Sequence, residues 1–284
     1  MPTIQWFPGH MAKARREISE NLNKVDLVIE LRDARIPASS MNPMMDEIVK
    51  NKPRLILLNK SNLADKRITA EWIKYLNNDR TLAIAVDSID GYNLKSIVPS
   101  AKKLLTEKIE RNKARGIVIT RIRAMVLGIP NVGKSTFINK ITKRKAAKTG
   151  DKPGVTKAQK WVKINDEFLL LDTPGILWPK FEDQKVGVNL AICGSIKDDI
   201  INLGYIASEA VNYIAKNYPT ALDKRYKIGD VSDLTSDEIF DKIAIKRGAL
   251  QKGGETDYDR IYTMIMNDIR ASKLGAMTFE RPEN

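Results

Sequence analysis

Residues 128–135 have the composition and spacing of a loop that binds phosphate groups. The segment Gly128-Ile-Pro-Asn-Val-Gly-Lys-Ser matches the pattern G-x-x-x-x-G-K-S. Its glycines let backbone N–H groups approach phosphate oxygens, Lys134 can reach the β- and γ-phosphates, and the Ser135 hydroxyl can bind Mg²⁺. The residues predicted to contact a nucleotide here are Asn131, Val132, Gly133, Lys134, Ser135 and Thr136.

Two segments after this loop have the residues of a nucleotide-dependent switch. Asp172, at the end of an apolar run, can reach Mg²⁺ through water, and the backbone N–H of Gly175 can meet the γ-phosphate. Thr156 follows a Pro-Gly turn between the two motifs, where its hydroxyl can complete the Mg²⁺ shell. We therefore predict that Ser135 and Thr156 bind Mg²⁺ and that Asp172 and Gly175 belong to the nucleotide site.

An Asn-Lys pair of the kind that reads guanine stands before the phosphate loop rather than after it. The pair is Asn59-Lys60, in the segment Leu-Asn-Lys-Ser-Asn. It favours GTP and GDP as ligands and disfavours ATP. In ordinary GTPases this pair follows the phosphate loop, so the reversed order indicates that the domain is circularly permuted.

The apolar pattern predicts the elements that hold these motifs. Residues 123–128 predict a short buried strand, and 135–141 predict an amphipathic helix whose N-terminus faces the phosphates. Apolar runs at 25–31, 81–86 and 169–172 predict further strands, and a helix is predicted at 11–24. Together these elements predict an α/β fold.

The motifs resemble those of the circularly permuted GTPases, and within them the bacterial ribosome biogenesis GTPase A (YlqF/RbgA) family. The resemblance runs along nearly the whole chain. It implies a circularly permuted P-loop GTPase domain with a small C-terminal α-helical domain. It also implies a GTP-hydrolysing factor that docks on the maturing large ribosomal subunit and leaves after hydrolysis. Four further segments share it: Trp6-Phe-Pro-Gly-His-Met, Asp33-Ala-Arg-Ile-Pro, Gly175-Ile-Leu-Trp-Pro and Lys246-Arg-Gly.

One residue of the guanine motif departs from the family pattern. The family motif usually ends in Asp, whose carboxylate accepts two N–H groups of guanine, whereas this chain has Asn62. A neutral amide makes weaker hydrogen bonds, so GTP should remain the preferred nucleotide but be bound less tightly, by roughly 1–3 kcal/mol. Asp65 is expected to begin a loop or helix instead. The resemblance places Asp87 and Ser88 in the loop behind the base.

The residue that activates water is not evident near the phosphates. Ile176, which is apolar, stands where Ras-like enzymes carry the Gln that orients the attacking water. Permutation puts the helix at 11–24 in the place of the switch helix, with His10 at its start and near the γ-phosphate side. The resemblance suggests His10 as the catalytic residue, since imidazole can orient or deprotonate water near neutral pH. The alternative is a helix-capping or packing role.

Asn131 has two open roles. In cation-dependent relatives the matching Asn binds K⁺, which stands in for an arginine finger. K⁺ would then be a second cofactor beside Mg²⁺. Alternatively, Asn131 only stabilises the phosphate loop.

Composition limits where the protein works. With 284 residues, 43% of them hydrophobic, the chain has room for a GTPase domain at 1–180 and a smaller domain at 181–284. The single cysteine, Cys193, excludes an intramolecular disulfide and fits a reducing compartment. No apolar run approaches the roughly 18 residues of a membrane helix, and the first residues lack a signal peptide's apolar core. We expect a cytoplasmic monomer that does not bind membranes.

Positive charge is concentrated in one part of the chain. The net charge is +13, and residues 101–163 hold 18 Lys and Arg against 3 acidic residues. Cations at 102–115 lie on one predicted helix, which joins what would be the two chain ends of the unpermuted domain. Others at 143–148 flank the first switch segment. Such clusters bind nucleic-acid phosphates, so RNA is a predicted partner. The resemblance implies that this RNA is the rRNA of the large ribosomal subunit.

After about residue 180 the pattern becomes helical. Apolar residues at helical spacing predict a small helical domain. The predicted helical segments are 182–195, 198–217, 235–247 and 258–274. The segments 246–248 and 251–254 form a basic, glycine-containing loop between the last two helices, which can approach RNA phosphates or serve only as a connector.

Two classes of function remain open from the sequence. The first is a GTP-hydrolysing switch on the ribosome. The second is an RNA-binding nucleotide sensor with little or no hydrolysis, for which Ile176 and Asn62 would be signs of lost catalysis.

Overall fold

A computed structural model describes residues 8–49, 52–117, 121–143, 160–173 and 183–283, and does not describe the side chains of 8–14 and 44–46. The described residues form two compact units. The first, which we call the sheet unit, contains 8–173 and also 280–283. The second, the helical unit, contains 183–279.

Six strands form one sheet in the described part of the chain. Their spatial order is β3-β2-β1-β4-β6-β5. All neighbours pair in parallel except β5, which runs antiparallel to β6 at one edge. The strands are β1 (Leu27–Asp33), β2 (Arg54–Asn59), β3 (Thr81–Ala85), β4 (Ile122–Gly128), β5 (Lys160–Asn165) and β6 (Phe168–Asp172).

The predicted strands match the observed ones to within two residues at each end, apart from β2 and β5, for which the sequence analysis gave no bounds. Because parallel strands share their direction, β1, β2, β4 and β6 bring their carboxyl ends to one edge of the sheet. Ligands of open α/β sheets bind at this edge, where the strand order changes direction. The residues that end these strands are Asp33, Asn59, Gly128 and Asp172.

Helices cover the sheet and bury its central strands. Every residue of β1 is buried, as expected for a central parallel strand with both faces covered. The helix α3 packs Ile68 and Trp72 against Ile56 and Leu58 of β2. The helices of the sheet unit are α1 (Pro8–Leu22), α2 (Pro43–Val49), α3 (Lys66–Leu76), α4 (Ile97–Leu104), α5 (Thr106–Ala114) and α6 (Lys134–Thr142).

The single basic helix predicted across 102–115 is wrong in one respect, because the structure has two helices there. The backbone leaves helical geometry at Leu105, with φ −109° and ψ 16°. Leu105 is buried, whereas α5 after it has no buried residue. The break therefore lets Leu105 pack in the core while α5 continues along the surface with its charged residues.

The helical unit has one helix more than the sequence predicted. The missed helix is α9, which follows α8 after Tyr218 and has Pro219 as its first residue. The predicted helix at 198–217 is also interrupted, because a 3₁₀ turn at Asp198–Ile200 precedes α8. The helices are α7 (Gln184–Ile192), α8 (Leu203–Asn217), α9 (Pro219–Tyr226), α10 (Ser236–Arg247) and α11 (Tyr258–Arg270).

Among the helices of the described ranges, none is both long and apolar enough to span a bilayer.

Candidate nucleotide-binding site

The predicted phosphate loop lies between a buried strand and a helix. It leaves β4 at Gly128 and enters α6 at Lys134. Gly133 has a φ of 95°, and a Cβ added there would lie 2.4 Å from Nδ2 of Asn59. Only glycine fits this position, because both the left-handed backbone and the close approach of Asn59 exclude a side chain.

Asn59 links the phosphate loop to the segment after β3. Its Nδ2 donates to the carbonyl oxygen of Val132 at 2.8 Å. Its Oδ1 accepts from the backbone N–H of Ser88 at 3.1 Å and from the Ser88 hydroxyl at 2.7 Å. The Asn59 side chain is buried. Its amide therefore holds the phosphate loop close to the loop at Ser88, and both loops were predicted to contact the same nucleotide.

Lys60 reaches the phosphate loop beside Asn59. Its Nζ donates to the carbonyl oxygen of Asn131 at 2.8 Å and lies 3.0 Å from Oδ2 of Asp33. Asp33 in turn pairs with Arg35. This role of Asp33 and Arg35 was not predicted from the sequence, although both belong to the segment Asp33-Ala-Arg-Ile-Pro that resembles the family. The feature of the sequence that could have indicated this role is the position of Asp33, a carboxylate just after the apolar run at 25–31.

The loop behind the predicted base position has a defined internal structure. Oδ1 of Asp87 accepts from the backbone N–H groups of Ile89 at 2.7 Å and Asp90 at 2.9 Å. The carboxylate therefore shapes the turn after β3. Ser88 is directed to Asn59, as described above. Both residues are buried.

Asn62 and Asp65 have different surroundings. Asn62 is exposed, on the 3₁₀ turn Ser61–Leu63 that follows the Asn-Lys pair. Asp65 caps α3, because its Oδ1 accepts from the backbone N–H groups of Arg67 at 2.8 Å and Ile68 at 3.2 Å. Asp65 thus begins a helix, as expected, and its carboxylate is engaged there rather than with a base.

Lys134 lies between the phosphate loop and the end of β6. Its Nζ is 2.7 Å from Oδ1 of Asp172 and also donates to the carbonyl oxygen of Thr173. Burial lowers the pKa of Lys134, and the neighbouring Asp172 carboxylate partly opposes that change. The Thr173 hydroxyl donates to the carbonyl oxygen of Val126 at 2.6 Å, which holds the β6 end against β4.

The donors at this position fit Mg²⁺ in chemical type. Ser135 and Thr136, both half-buried, begin the first turn of α6 directly after Lys134. A hydroxyl of that turn and the carboxylate of Asp172 are the hard oxygen ligands that Mg²⁺ prefers. The N-terminus of α6 adds the partial positive charge that favours phosphate.

Several predicted residues lie outside the description. His10 belongs to α1, which begins at Pro8, but its side chain is outside the described part. Thr156 and Gly175 also fall outside the described ranges, as does most of the basic segment at 143–148. Their predicted roles stay predictions.

These contacts define a class of protein. A glycine-rich loop enters a helix, an acidic residue ends the neighbouring strand, and an Asn-Lys pair is hydrogen-bonded to the loop. The sheet order and this site are those of a P-loop GTPase. Since the strands that carry the Asn-Lys pair and Ser88 come before the phosphate loop in the chain, the domain is circularly permuted.

Comparison with known proteins agrees with this class. A family model described as 50S ribosome-binding GTPase matches residues 123–243. Ribosome biogenesis GTPase A of Bacillus pumilus is 52% identical over 282 residues, covering 99% of this chain and all of the relative. The protein of the same name from Thermotoga maritima is 31% identical, over 99% of this chain and 95% of its own. The chain therefore belongs to the ribosome biogenesis GTPase A family.

Solved structures give the same result for the fold. The crystal structure of GNP-bound YlqF from T. maritima superimposes with a TM-score of 0.66 at 29% identity, covering 96% of this chain and 99% of the other. The GDP-bound structure of YlqF has a TM-score of 0.68 at 27% identity, covering 95% of this chain and all of the other. The predicted family, the permuted α/β fold and the GTPase class are confirmed.

Proposed function

We propose that the protein binds and hydrolyses GTP while it assists assembly of the large ribosomal subunit, and that it leaves the subunit after hydrolysis. The observation that carries this proposal is the hydrogen bonding of the guanine pair to the phosphate loop, from Asn59 to Val132 and from Lys60 to Asn131. One nucleotide can therefore contact both motifs at once. The names of the relatives, ribosome biogenesis GTPase A, support the ribosomal part.

The bound nucleotide would lie along the carboxyl edge of the sheet. Backbone N–H groups at 131–136 would hold the phosphates, and the Lys134 ammonium would neutralise their charge. Asn59, Lys60 and Asn62 would bind the guanine side, with Asp87 and Ser88 in the loop behind the base.

Mg²⁺ is the divalent ion that GTPase domains of this kind use. In this chain the Ser135 hydroxyl would hold it directly and Asp172 through water, with the Thr156 hydroxyl as a further ligand. When bound, Mg²⁺ would neutralise charge that develops on the phosphates. Asn131 would bind K⁺ beside them. Asn131 belongs to the phosphate loop itself, which supports a cation beside the phosphates.

His10 would orient the attacking water. Ile176 has no group that can do so, and His10 is the single histidine of the chain. Its place in the first turn of α1 is compatible with this role, because α1 precedes β1 as the switch helix does in the unpermuted order. Imidazole accepts a proton near neutral pH, so the role needs no unusual pKa.

The basic surface and the helical unit would bind rRNA. On α4 and α5, Lys103, Arg111, Lys113 and Arg115 are exposed, whereas Lys102 pairs with Glu167 and Lys108 with Asp26. In the helical unit, the loop between α10 and α11 is a tight hairpin with Gly253 and Gly254 at positive φ. Lys246 and Lys252 beside it would contact phosphates.

The test is GTP hydrolysis by the wild type and by His10→Ala, with and without purified large ribosomal subunits, in Mg²⁺ buffer with either K⁺ or Na⁺. We expect subunits to stimulate the wild type strongly in K⁺, and His10→Ala to lose that stimulation while its affinity for GTP is unchanged. Lys134→Ala serves as the control that loses nucleotide binding itself.

The arms of this experiment separate the parts of the proposal. Equal rates in K⁺ and Na⁺ would remove K⁺ as a cofactor and leave Asn131 a loop-stabilising role. Full stimulation of His10→Ala would remove its catalytic role. An unstimulated wild type that still binds subunits would move the protein to the class of RNA-binding nucleotide sensors.

A further inference from the structure

We propose that Asp33 is a positioning residue of the nucleotide site, which holds Lys60 of the guanine motif against the phosphate loop. The proposal rests on the GTP binding proposed above and adds a residue to that site. Asp33 acts through Lys60, and it does not itself contact the nucleotide.

The Asp33 carboxylate is held from several sides at the end of β1. It is fully buried. The Arg35 guanidinium donates from Nε to Oδ1 at 2.9 Å and from Nη2 to Oδ2 at 2.7 Å, and the backbone N–H of Arg35 donates to Oδ1 at 3.0 Å. This bidentate geometry fixes the carboxylate orientation. Oδ2 is then 3.0 Å from Nζ of Lys60.

Strand register places the carboxylate beside the guanine motif. In the parallel pairing of β1 with β2, Asp33 stands opposite Asn59. The backbone N–H of Ala34 donates to the carbonyl oxygen of Asn59 at 2.8 Å, so the two strand ends are joined directly. Lys60 follows at once, and its side chain turns back toward β1.

Lys60 needs such a holding contact because of its backbone. Its φ is 58°, in the left-handed region that residues other than glycine seldom adopt. Such a conformation persists only when neighbouring groups hold it in place. Its ammonium bridges two groups, the Asp33 carboxylate and the carbonyl oxygen of Asn131. Lys60 thus connects the Asp33 carboxylate to the phosphate loop through one side chain.

The charge state of Asp33 suits this role. Burial on its own would raise the pKa of the carboxyl group, but Arg35 and Lys60 outweigh that effect, and the pKa is well below its usual range. The carboxylate therefore remains ionised wherever the protein is folded near neutral pH. Removing its charge would leave two cations beside each other without their common partner.

Glu30 provides a matched comparison on the same strand. It is buried and pairs with Arg32 at 2.7 Å and with Arg54 at 3.4 Å. Neither Arg32 nor Arg54 belongs to the phosphate loop or to the guanine motif, and these two ion pairs do not include Lys60. A variant of Glu30 therefore reports the general effect of disrupting a buried ion pair in β1.

The experiment compares Asp33→Asn and Glu30→Gln with the wild type. Equilibrium affinities for GTP and GDP, KM and kcat for GTP, and the free energy of unfolding in urea are measured for each. We expect Asp33→Asn to weaken binding of both nucleotides by about 10-fold or more and to raise KM similarly, with kcat changed much less. Glu30→Gln should lose stability but keep the wild-type affinities.

A double variant tests whether the effect passes through Lys60. In a Lys60→Met background, Asp33→Asn should cause little further loss of affinity, since the contact is already gone. If Asp33→Asn does not fold, Asp33→Glu takes its place, because the longer side chain keeps the charge but displaces the carboxylate from the position in which it pairs with both Arg35 and Lys60. It too should weaken binding.

Three outcomes would overturn the proposal: unchanged affinity in the Asp33 variant, an equal loss in Glu30→Gln, or full additivity with Lys60→Met. Failure of the wild type to bind GTP would instead contradict the proposed function. The two failures are therefore distinguishable in one set of titrations.

Discussion

The side chains proposed to recognise the guanine base lie at the end of β2 and just after it, and their neighbours differ. Asn59 and Lys60 are engaged with the phosphate loop. Asn62 is exposed on the turn that follows, and Asp65 caps α3. Asn62 thus places an amide where the family motif usually has the carboxylate that binds the base. Asp65 cannot replace that carboxylate, because its own side chain caps α3.

Asn62→Asp should strengthen nucleotide binding. A carboxylate makes charge-assisted hydrogen bonds to two N–H groups of guanine, and we expect the dissociation constant for GDP to fall by about 10-fold. Isothermal titration of the variant and the wild type measures this. Asp65→Ala is the control, since loss of the helix cap should lower the free energy of unfolding by about 1 kcal/mol and leave affinity unchanged. Equal affinity of Asn62→Asp and wild type would refute the argument about Asn62.

Gly133→Ala should disrupt the contact between the two motifs. The added Cβ would lie 2.4 Å from Nδ2 of Asn59, so the hydrogen bond from Asn59 to Val132 has to break. We expect nucleotide affinity to fall by at least about 10-fold, measured by fluorescence titration with a labelled GDP.

Gly116→Ala is the matched control for that substitution. Gly116 also has a positive φ, of 76°, but nothing lies within 4 Å of its added Cβ. Its cost should be limited to backbone strain of roughly 1–2 kcal/mol in stability, with normal affinity. A similar loss of affinity in both variants would mean that strain alone, and not the contact with Asn59, explains the effect.

At the scale of elements, the helix α5 has charged residues directed to solvent and no buried side chain. The cations of 102–115 were predicted from the sequence to lie on one continuous helix. Burial of Leu105 determines the break, and this depends on the core beneath it. The helix α9 was missed although Pro219 is a start signal, because an eight-residue segment shows little more than two turns of periodicity.

Replacing the exposed cations of α5 should weaken RNA binding. In a triple variant, Arg111, Lys113 and Arg115 are each replaced by Gln. This variant should contact fewer phosphates, so its affinity for rRNA fragments should fall. The slope of log K against log[salt] should fall by about 2, as each lost phosphate contact contributes about 0.7–0.9. Filter binding at several salt concentrations measures both quantities.

The helix α3 provides the control for this variant. Lys66, Arg67 and Lys74 are also exposed, so their replacement by Gln changes the net charge equally on another helix. The α3 variant should keep most of the affinity. If both variants lose the same affinity, net charge and not a surface on α5 determines RNA binding.

At the scale of the whole molecule, the residues at 280–283, which we call the tail, belong to the sheet unit, although the chain before them forms the helical unit. Oε2 of Glu280 accepts from the backbone N–H of Ala38 at 2.7 Å, and Oε1 accepts from that of Ser39 at 3.0 Å. The Ser39 hydroxyl also donates to Oε1. Nε1 of Trp72 donates to the carbonyl oxygen of Glu280 at 3.3 Å. The tail thus stabilises the loop that follows Asp33.

Glu280→Gln should destabilise the sheet unit. The amide N–H₂ would face backbone donors at 38–39, and the loss of a buried charged acceptor costs about 1–3 kcal/mol. Urea unfolding followed by tryptophan fluorescence measures this, because Trp72 contacts Glu280 directly. Glu283→Gln, an exposed change in the same tail, should have no effect. An unchanged midpoint for Glu280→Gln would mean that the tail does not contribute to stability.

The sequence by itself determined the order of the motifs, and with it the permutation, the family and the class of chemistry. Those features depend on residue types at short spacing, such as the glycines and Lys134 of the phosphate loop, and on the order in which motifs follow one another. Most predicted strands were also close to the observed ones, since a buried strand needs a local run of apolar residues.

Only the tertiary structure showed how the motifs contact one another. Lys60 meets Asp33 and Asn131, and Glu280 meets Ser39, across separations that no local pattern encodes. These pairs form because parallel strands in a particular register bring their carboxyl ends to one edge, and because the tail packs beside Trp72. The sequence names the residues that can do the chemistry, but strand register and packing determine which of them touch.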